Sequence, residues 1–190
     1  MTRTITITLI ALTLLALGAC SPESRYERRV KRELASGKRY DDLFLGLHFG
    51  MDQKAFFDHC WKLNREKLIK EGPGNMSAEY IIKEIQPEVA MNFYPMEVGA
   101  RMIKMRATFN YLGWTPWNRD LWADKLMPHV IELLEDWYGK GFIALKDPVK
   151  GHYFVKVDGN RHIDVRVITE QMVEVIFTDL SAVANQETGG

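Results

Sequence analysis

The sequence predicts an α+β fold: a single antiparallel β-sheet with two long helices packed on one face, in a pseudo-repeat of the order α-β-β-β twice. Three observations predict it. Residues 52–112 and 118–180 each open on an amphipathic helical pattern and continue as strand-like runs. Within residues 101–112, Ile103, Met105, Ala107, Phe109 and Tyr111 alternate with Met102, Lys104, Arg106, Thr108 and Asn110. Asp158-Gly159-Asn160 stands between two further runs and has the chemistry of a hairpin turn. Short links of this kind favour antiparallel neighbours, and helices then cover the apolar face.

Each element has a local reason. Residues 21–38 are polar and helix-forming, and Gly37 ends them. In residues 41–51, Leu43, Leu45 and Leu47 alternate with Phe44, Gly46 and His48, which predicts a short strand that Gly50 breaks. Asp52 is a good N-cap for a helix with the apolar stripe Phe56, Cys60, Leu63, joined by Trp61 and Leu68. Gly72-Pro73-Gly74-Asn75 stops that helix, and strands are expected at 78–85, 88–94 and 101–112. A second helix is expected from Asn118, with Trp117 and Trp122 spaced as a hydrophobic staple and a stripe of Leu126, Val130, Leu133, Leu134 and Trp137. Pro128 should kink or restart it, because an interior proline removes a backbone hydrogen bond. Strands are expected at 152–157, 162–168 and 172–180, and a disordered tail over 183–190.

The start of the chain is different in kind. One positive charge at Arg3 precedes an apolar run over residues 5–17, too short to span a hydrocarbon core, and small residues lead to a cysteine. Leu17-Gly18-Ala19-Cys20 resembles the lipobox of bacterial lipoproteins. That resemblance implies a signal peptide over 1–19, lipidation of Cys20 with palmitate-type acyl chains, and a mature chain that starts at Cys20. Residues 20–40 are then a lipidated tether with a short basic helix, and 41–182 a single α+β domain. Ser21 follows the lipidated position and no Asp stands there; by resemblance to sorted lipoproteins, the location is the outer membrane, facing the periplasm.

Composition narrows the partners. The 190 residues carry a formal net charge of zero, which argues against nucleic acid. Charge is nevertheless uneven: Arg25, Arg28, Arg29, Lys31, Arg32, Lys38 and Arg39 crowd the segment after Cys20, against Glu27 and Glu33. Basic residues held near headgroups gain about 1 kcal/mol each at an anionic surface, so this segment would orient the domain. Cys60 is the one other cysteine, and its place in an apolar stripe predicts burial.

No residue pattern points to a catalytic or metal site, and no cofactor motif is present. The five histidines, His48, His59, His129, His152 and His162, have no helical metal-ligand spacing. His162 and Asp164 share one face of a strand and are the one pair that could act as a metal or acid–base site with a third group. The aromatic connection with Tyr111, Trp114, Trp117 and Trp122 offers binding anchors. The staple accounts for Trp117 and Trp122, leaving Trp114 as a candidate partner contact, beside Lys104 and Arg106 on the polar face of their strand.

Leu47-His48-Phe49-Gly50-Met51-Asp52-Gln53-Lys54-Ala55-Phe56 resembles the G-M-[ST]-K-x-x-[FV] opening of a family of small envelope proteins. That family contains the small lipoprotein of the β-barrel assembly machinery and the related β-lactamase-inhibitor-like domains. Gly50, Met51 and Phe56 fit, and Asp52 replaces the usual hydroxyl cap. The resemblance implies a non-catalytic binding module and transfers no contact residue. The expected function is therefore a lipid-anchored envelope protein that binds or scaffolds another envelope protein. The alternatives are an envelope hydrolase or metal-dependent enzyme using His162 and Asp164, and an inhibitor of an extracellular enzyme.

Overall fold

The computed structural model describes residues 21–75, 77–98, 101–148 and 151–188. Cys20 and the apolar segment before it lie outside the described residues. The chain forms an α+β fold around one eight-stranded, wholly antiparallel sheet. Its helices are α1 (Pro22–Ala35), α2 (Gln53–Arg65), α3 (Ala123–Tyr138) and α4 (Leu180–Thr188). Its strands are β1 (Lys70–Glu71), β2 (Ala78–Ile82), β3 (Val89–Val98), β4 (Met102–Tyr111), β5 (Ile143–Asp147), β6 (Gly151–Asp158), β7 (Arg161–Val167) and β8 (Val173–Asp179). The strand order is β1-β2-β3-β4-β8-β7-β6-β5. Two meanders thus meet at β4 and β8, from Lys104↔Thr178 to Phe109↔Val173.

The alternation read in β4 sets one face of the sheet. Met105, Ala107 and Phe109 are fully buried, as are Val173, Val175 and Phe177 opposite them. α3 packs on β4, β7 and β8 through Leu126, Val130, Leu133 and Leu134. Burial of each such side chain stabilises the fold by about 1.5–3 kcal/mol. Phe56 and Leu63 of α2 belong to the same apolar cluster. Asp52 caps α2 as expected, its carboxylate accepting from Ala55 N at 2.8 Å.

Several expectations are corrected. Residues 41–51 form a tight turn rather than a strand, closed by one bridge from Asp42 to His48. Leu45 (φ 52°) and Gly46 (φ 76°) take left-handed conformations there, so Leu43, Phe44, Leu47 and Phe49 are all buried instead of alternating. The second helix starts later than Asn118. Asn118 caps a single 3₁₀ turn, Arg119–Leu121; extended backbone at Trp122 (ψ 159°) interrupts the chain, and α3 begins at Ala123. α3 then runs through Pro128 as one helix, so the restart sits upstream of the proline. Four strands, not three, follow each of α2 and α3 among the described residues, β1 and β5 being the additional ones. Residues 183–188, expected as part of the tail, continue α4. Trp61 and Leu68, read as part of the buried stripe of α2, are exposed.

Segment 22–41 is joined to the sheet through the β6–β7 turn. Glu33 accepts from Gly159 N at 3.1 Å, and Arg29 donates to the Val157 carbonyl at 3.2 Å. Asn160 Oδ1 accepts from Tyr40 N at 2.7 Å, and Asn160 Nδ2 donates to Asp41 at 3.0 Å. Arg39 pairs with Asp41 and with the buried Asp179 at 2.8 Å. Below them, Arg161 stacks 4.3 Å over the Tyr138 ring and donates to the Asp42 carbonyl, and Lys156 pairs with Asp158 at 2.7 Å. Each buried charge here has a partner, as burial requires.

Candidate functional site: a two-part groove beside the sheet

His162 and Asp164 lie on the face of the sheet opposite Ile163 and Phe177, and α1 covers them there. Tyr26 Oη of α1 stands 3.1 Å from His162 Nε2, with the rings 5.8 Å apart. Burial first, then the charges of Tyr153 and Asp164, raise the Tyr26 hydroxyl above its ordinary pKa. Among the described residues no three His, Cys, Asp or Glu side chains converge as a metal site. Register also separates His152 from the pair: it opposes Lys146, whereas Asp164 opposes Val155, three residues further along β6, about 10 Å away. His48 and His59 bond the Phe49 and Leu45 carbonyls of the 43–49 turn.

α1 covers only the β5–β7 side of this second face. Beyond it, β3, β4 and β8 present polar side chains. Asn92 faces Thr108, Tyr94 faces Arg106, and Thr108 faces Glu174. Glu174 is buried between two arginines, Arg106 at 2.6 Å and Arg166 at 2.8 Å. Burial alone would raise its pKa, but hydrogen bonds from Arg166 and Arg106 outweigh it and hold the carboxyl below the usual range. Asn92, Tyr94, Arg106, Thr108, Asn110 and Met172 line a groove of about 730 Å³ here. The buried Asn92 Oδ1 accepts no hydrogen bond from the described residues. Gly72 gives it room, since a β-carbon there would stand 2.9 Å from that oxygen.

A second, apolar groove of about 560 Å³ lies between α2 and the β2–β3 side of the sheet. Phe57, Cys60, Trp61, Ile69, Ala78 and Tyr94 line it. The two grooves share Ser77 and Tyr94, so they are contiguous. Trp61 is 66% exposed and Phe57 41%. Burial pushes the Cys60 thiol up to about 11, which suits an apolar wall rather than a nucleophile. The surface therefore offers aromatic anchors at one end and amide, hydroxyl and guanidinium groups at the other, and its Trp61, Tyr94 and Arg106 are of the residue types enriched at binding hot spots.

The sequence-derived contacts fare differently. Arg106 lines the polar groove, and Lys104 shares its face without lining it. Trp114 is half-buried and packs against the core cluster, so it has the packing contact that the sequence did not show. Trp117 is the exposed indole, at 82%, and does not form the expected staple; Trp122 instead carries the Arg119 guanidinium 4.9 Å over its ring. Sequence reasoning missed Phe57, Tyr94 and Asn92. The available signal was Phe57–Trp61, an i,i+4 apolar pair about 100° around α2 from Phe56–Cys60.

No protein-family model, curated protein or solved structure matches the chain. Among the described residues, no helix is long and apolar enough to cross a membrane.

Proposed function

We propose that the chain is a lipid-anchored envelope protein, held at the outer membrane through Cys20 and facing the periplasm. In this reading it acts as a non-catalytic binding module whose partner, another envelope protein, occupies the two-part groove. The carrying observation is the continuity of the grooves at Ser77 and Tyr94, which joins exposed Phe57 and Trp61 to Arg106, Thr108 and Asn110. An apolar side chain would enter beside Trp61, and the polar row would pair with backbone or side-chain groups further along. α1 supports the anchoring part. Its N-cap is Ser21, whose hydroxyl accepts from Ser24 N at 3.1 Å, so the helix begins two residues beyond Cys20. The folded body would then stand directly at the lipid rather than on a long tether.

The finer architecture belongs to the same proposal. The orders α2-β1-β2-β3-β4 and α3-β5-β6-β7-β8 support reading two copies of one unit, each a helix followed by a meander. Phe56 and Leu134 entering one core cluster supports both helices lying over one face.

The test is site-specific photo-cross-linking in cells. Probes at Trp61 and Thr108 should capture the same envelope protein, and a probe at the exposed Trp117 should not. Trp61→Asp should abolish capture from Thr108 without lowering the thermal midpoint. Different proteins captured at the two positions, or capture that survives Trp61→Asp, would remove the groove from the function.

A further inference from the structure

We infer that α1 is a docking ridge for anionic lipid headgroups and that the protein lies with its β5 edge against the membrane. The proposal rests on the lipid-anchored reading for where the ridge sits, but not for what it binds.

Charge on α1 is sorted by side. Arg25, Arg28, Arg29 and Arg32 follow i, i+3, i+4, i+7 spacing and fall on one flank of the helix. Together with Ile143 of the edge strand β5 they line a shallow concavity. Glu23 and Glu27 fall on a different flank, by the same helical geometry. The inward side is occupied by Tyr26, against His162, and by Glu33, which accepts from Gly159 N. Arg29 is used internally, by Glu33 at 3.0 Å and Asp158 at 3.6 Å. Arg25 and Arg28 are exposed and have no ion pair among the described residues, and Arg32 shares Glu33 at 3.6 Å. Three guanidiniums thus point outward from a helix whose other contacts fix its rotation.

Guanidinium is suited to phosphate, which it can meet with two parallel hydrogen bonds. Position chooses the source of the phosphate. α1 has 14 residues and is about 21 Å long. Held upright on the anchor, it would carry Arg32 about 18 Å from Cys20, beyond a Debye length of roughly 8 Å. Lying flat, all three arginines come within that length of the headgroups. Flat placement with the ridge down turns β5 toward the membrane. β2, beside the apolar groove, then stands six inter-strand steps away, about 29 Å into the periplasm, and the polar groove on β3 and β4 lies one to two steps nearer the membrane.

The experiment uses the full chain carrying Cys20→Ala, which removes the lipid. Its partition is measured on vesicles of phosphatidylcholine alone and of phosphatidylcholine with phosphatidylglycerol. The readout is the ratio of the two, so any binding by the apolar N-terminal segment cancels. Neutralising Arg25, Arg28 and Arg32 together to Gln should lower the ratio on the order of a hundredfold, about fivefold per arginine. The matching Lys variant keeps the charge and loses only the paired hydrogen bonds, so its ratio should stay within about fivefold of the unsubstituted protein's, which guards against a folding defect. Removing the same charge from the far edge, with Lys62→Gln, Arg65→Gln and Lys67→Gln, should change it less than about fivefold. Equal losses from the two Gln triples, or a loss under fivefold from the ridge triple, would overturn the proposal. Lipidation is read separately, from the mass of the N-terminal peptide of the unsubstituted protein. A lipidated chain without anionic preference would sink the ridge alone.

Discussion

A β-carbon on Gly159 would stand 2.2 Å from the Lys38 carbonyl oxygen. The β6–β7 turn and the segment after α1 therefore approach more closely than any side chain permits, and Gly159 also has φ 53°. Gly159→Ala should cost well over 2 kcal/mol, from the left-handed backbone plus a clash with main chain. Gly37→Ala is the comparison, since Gly37 has φ 65° with open space around it and should lose about 1–2 kcal/mol. Urea midpoints of the two variants decide it; equal losses would mean the close approach carries no weight.

Phe56 and Phe57 are neighbours with opposite fates. Phe56 is 4% exposed in the core, whereas Phe57 lines the open groove. Phe56→Ala should cost roughly 3–5 kcal/mol. Phe57→Ala should cost under about 1 kcal/mol and act on binding instead. A denaturation midpoint unchanged by Phe56→Ala would remove α2 from the core.

Glu174 should make stability depend on acidity in a defined direction. Its carboxyl is held below the ordinary range by Arg166 and Arg106 against the effect of burial. A group whose folded pKa is depressed contributes fully above its unfolded pKa, about 4.3 for glutamate, and the contribution is lost as pH falls through the lower folded value. Stability should therefore fall on acidification, and Glu174→Gln should flatten that fall while lowering stability near neutrality. Denaturant midpoints between about pH 7 and pH 3 test it. Asp41, depressed by Arg39 and Asn160 despite its burial, keeps a residual slope in the variant.

Cys60 should be a slow thiol. With its ionisation pushed up to about 11 by burial, its thiolate near pH 8 is on the order of a hundredfold scarcer than that of a free cysteine. Alkylation should be at least about tenfold slower than for a small free thiol, and unfolding in urea should restore the ordinary rate. An ordinary rate in the native protein would place the sulfur outside the apolar wall.

The core rows were legible because their periods are strict. Val130 and Leu134 on α3, and Met105 and Phe109 on β4, are buried where the 3.6- and 2-residue patterns put them. The errors arose where a local pattern had two physical solutions. Alternating leucines at 43–47 fit a strand, yet left-handed backbone at Leu45 and Gly46 folds them into a turn that buries both sides. Asn118 is a sound cap, but for one 3₁₀ turn, so Trp117 never reaches the staple position. Arg106 was legible as a surface contact from its strand face. The groove itself was not, because it needs β3, β4 and α2 side by side, and register is not written in any one of them.

The strand order has a consequence for how the chain reaches this state. Every pairing within β1–β4 and within β5–β8 joins strands consecutive in sequence, and the single long-range ladder is β4 with β8. Each meander can therefore zip through local loop closures, which are quick. The slow entropic step is bringing residues 104–109 against residues 173–178, some seventy residues later. Amides of that seam are expected to exchange with solvent only on global opening, and those of the two-residue β1 at the sheet edge far sooner.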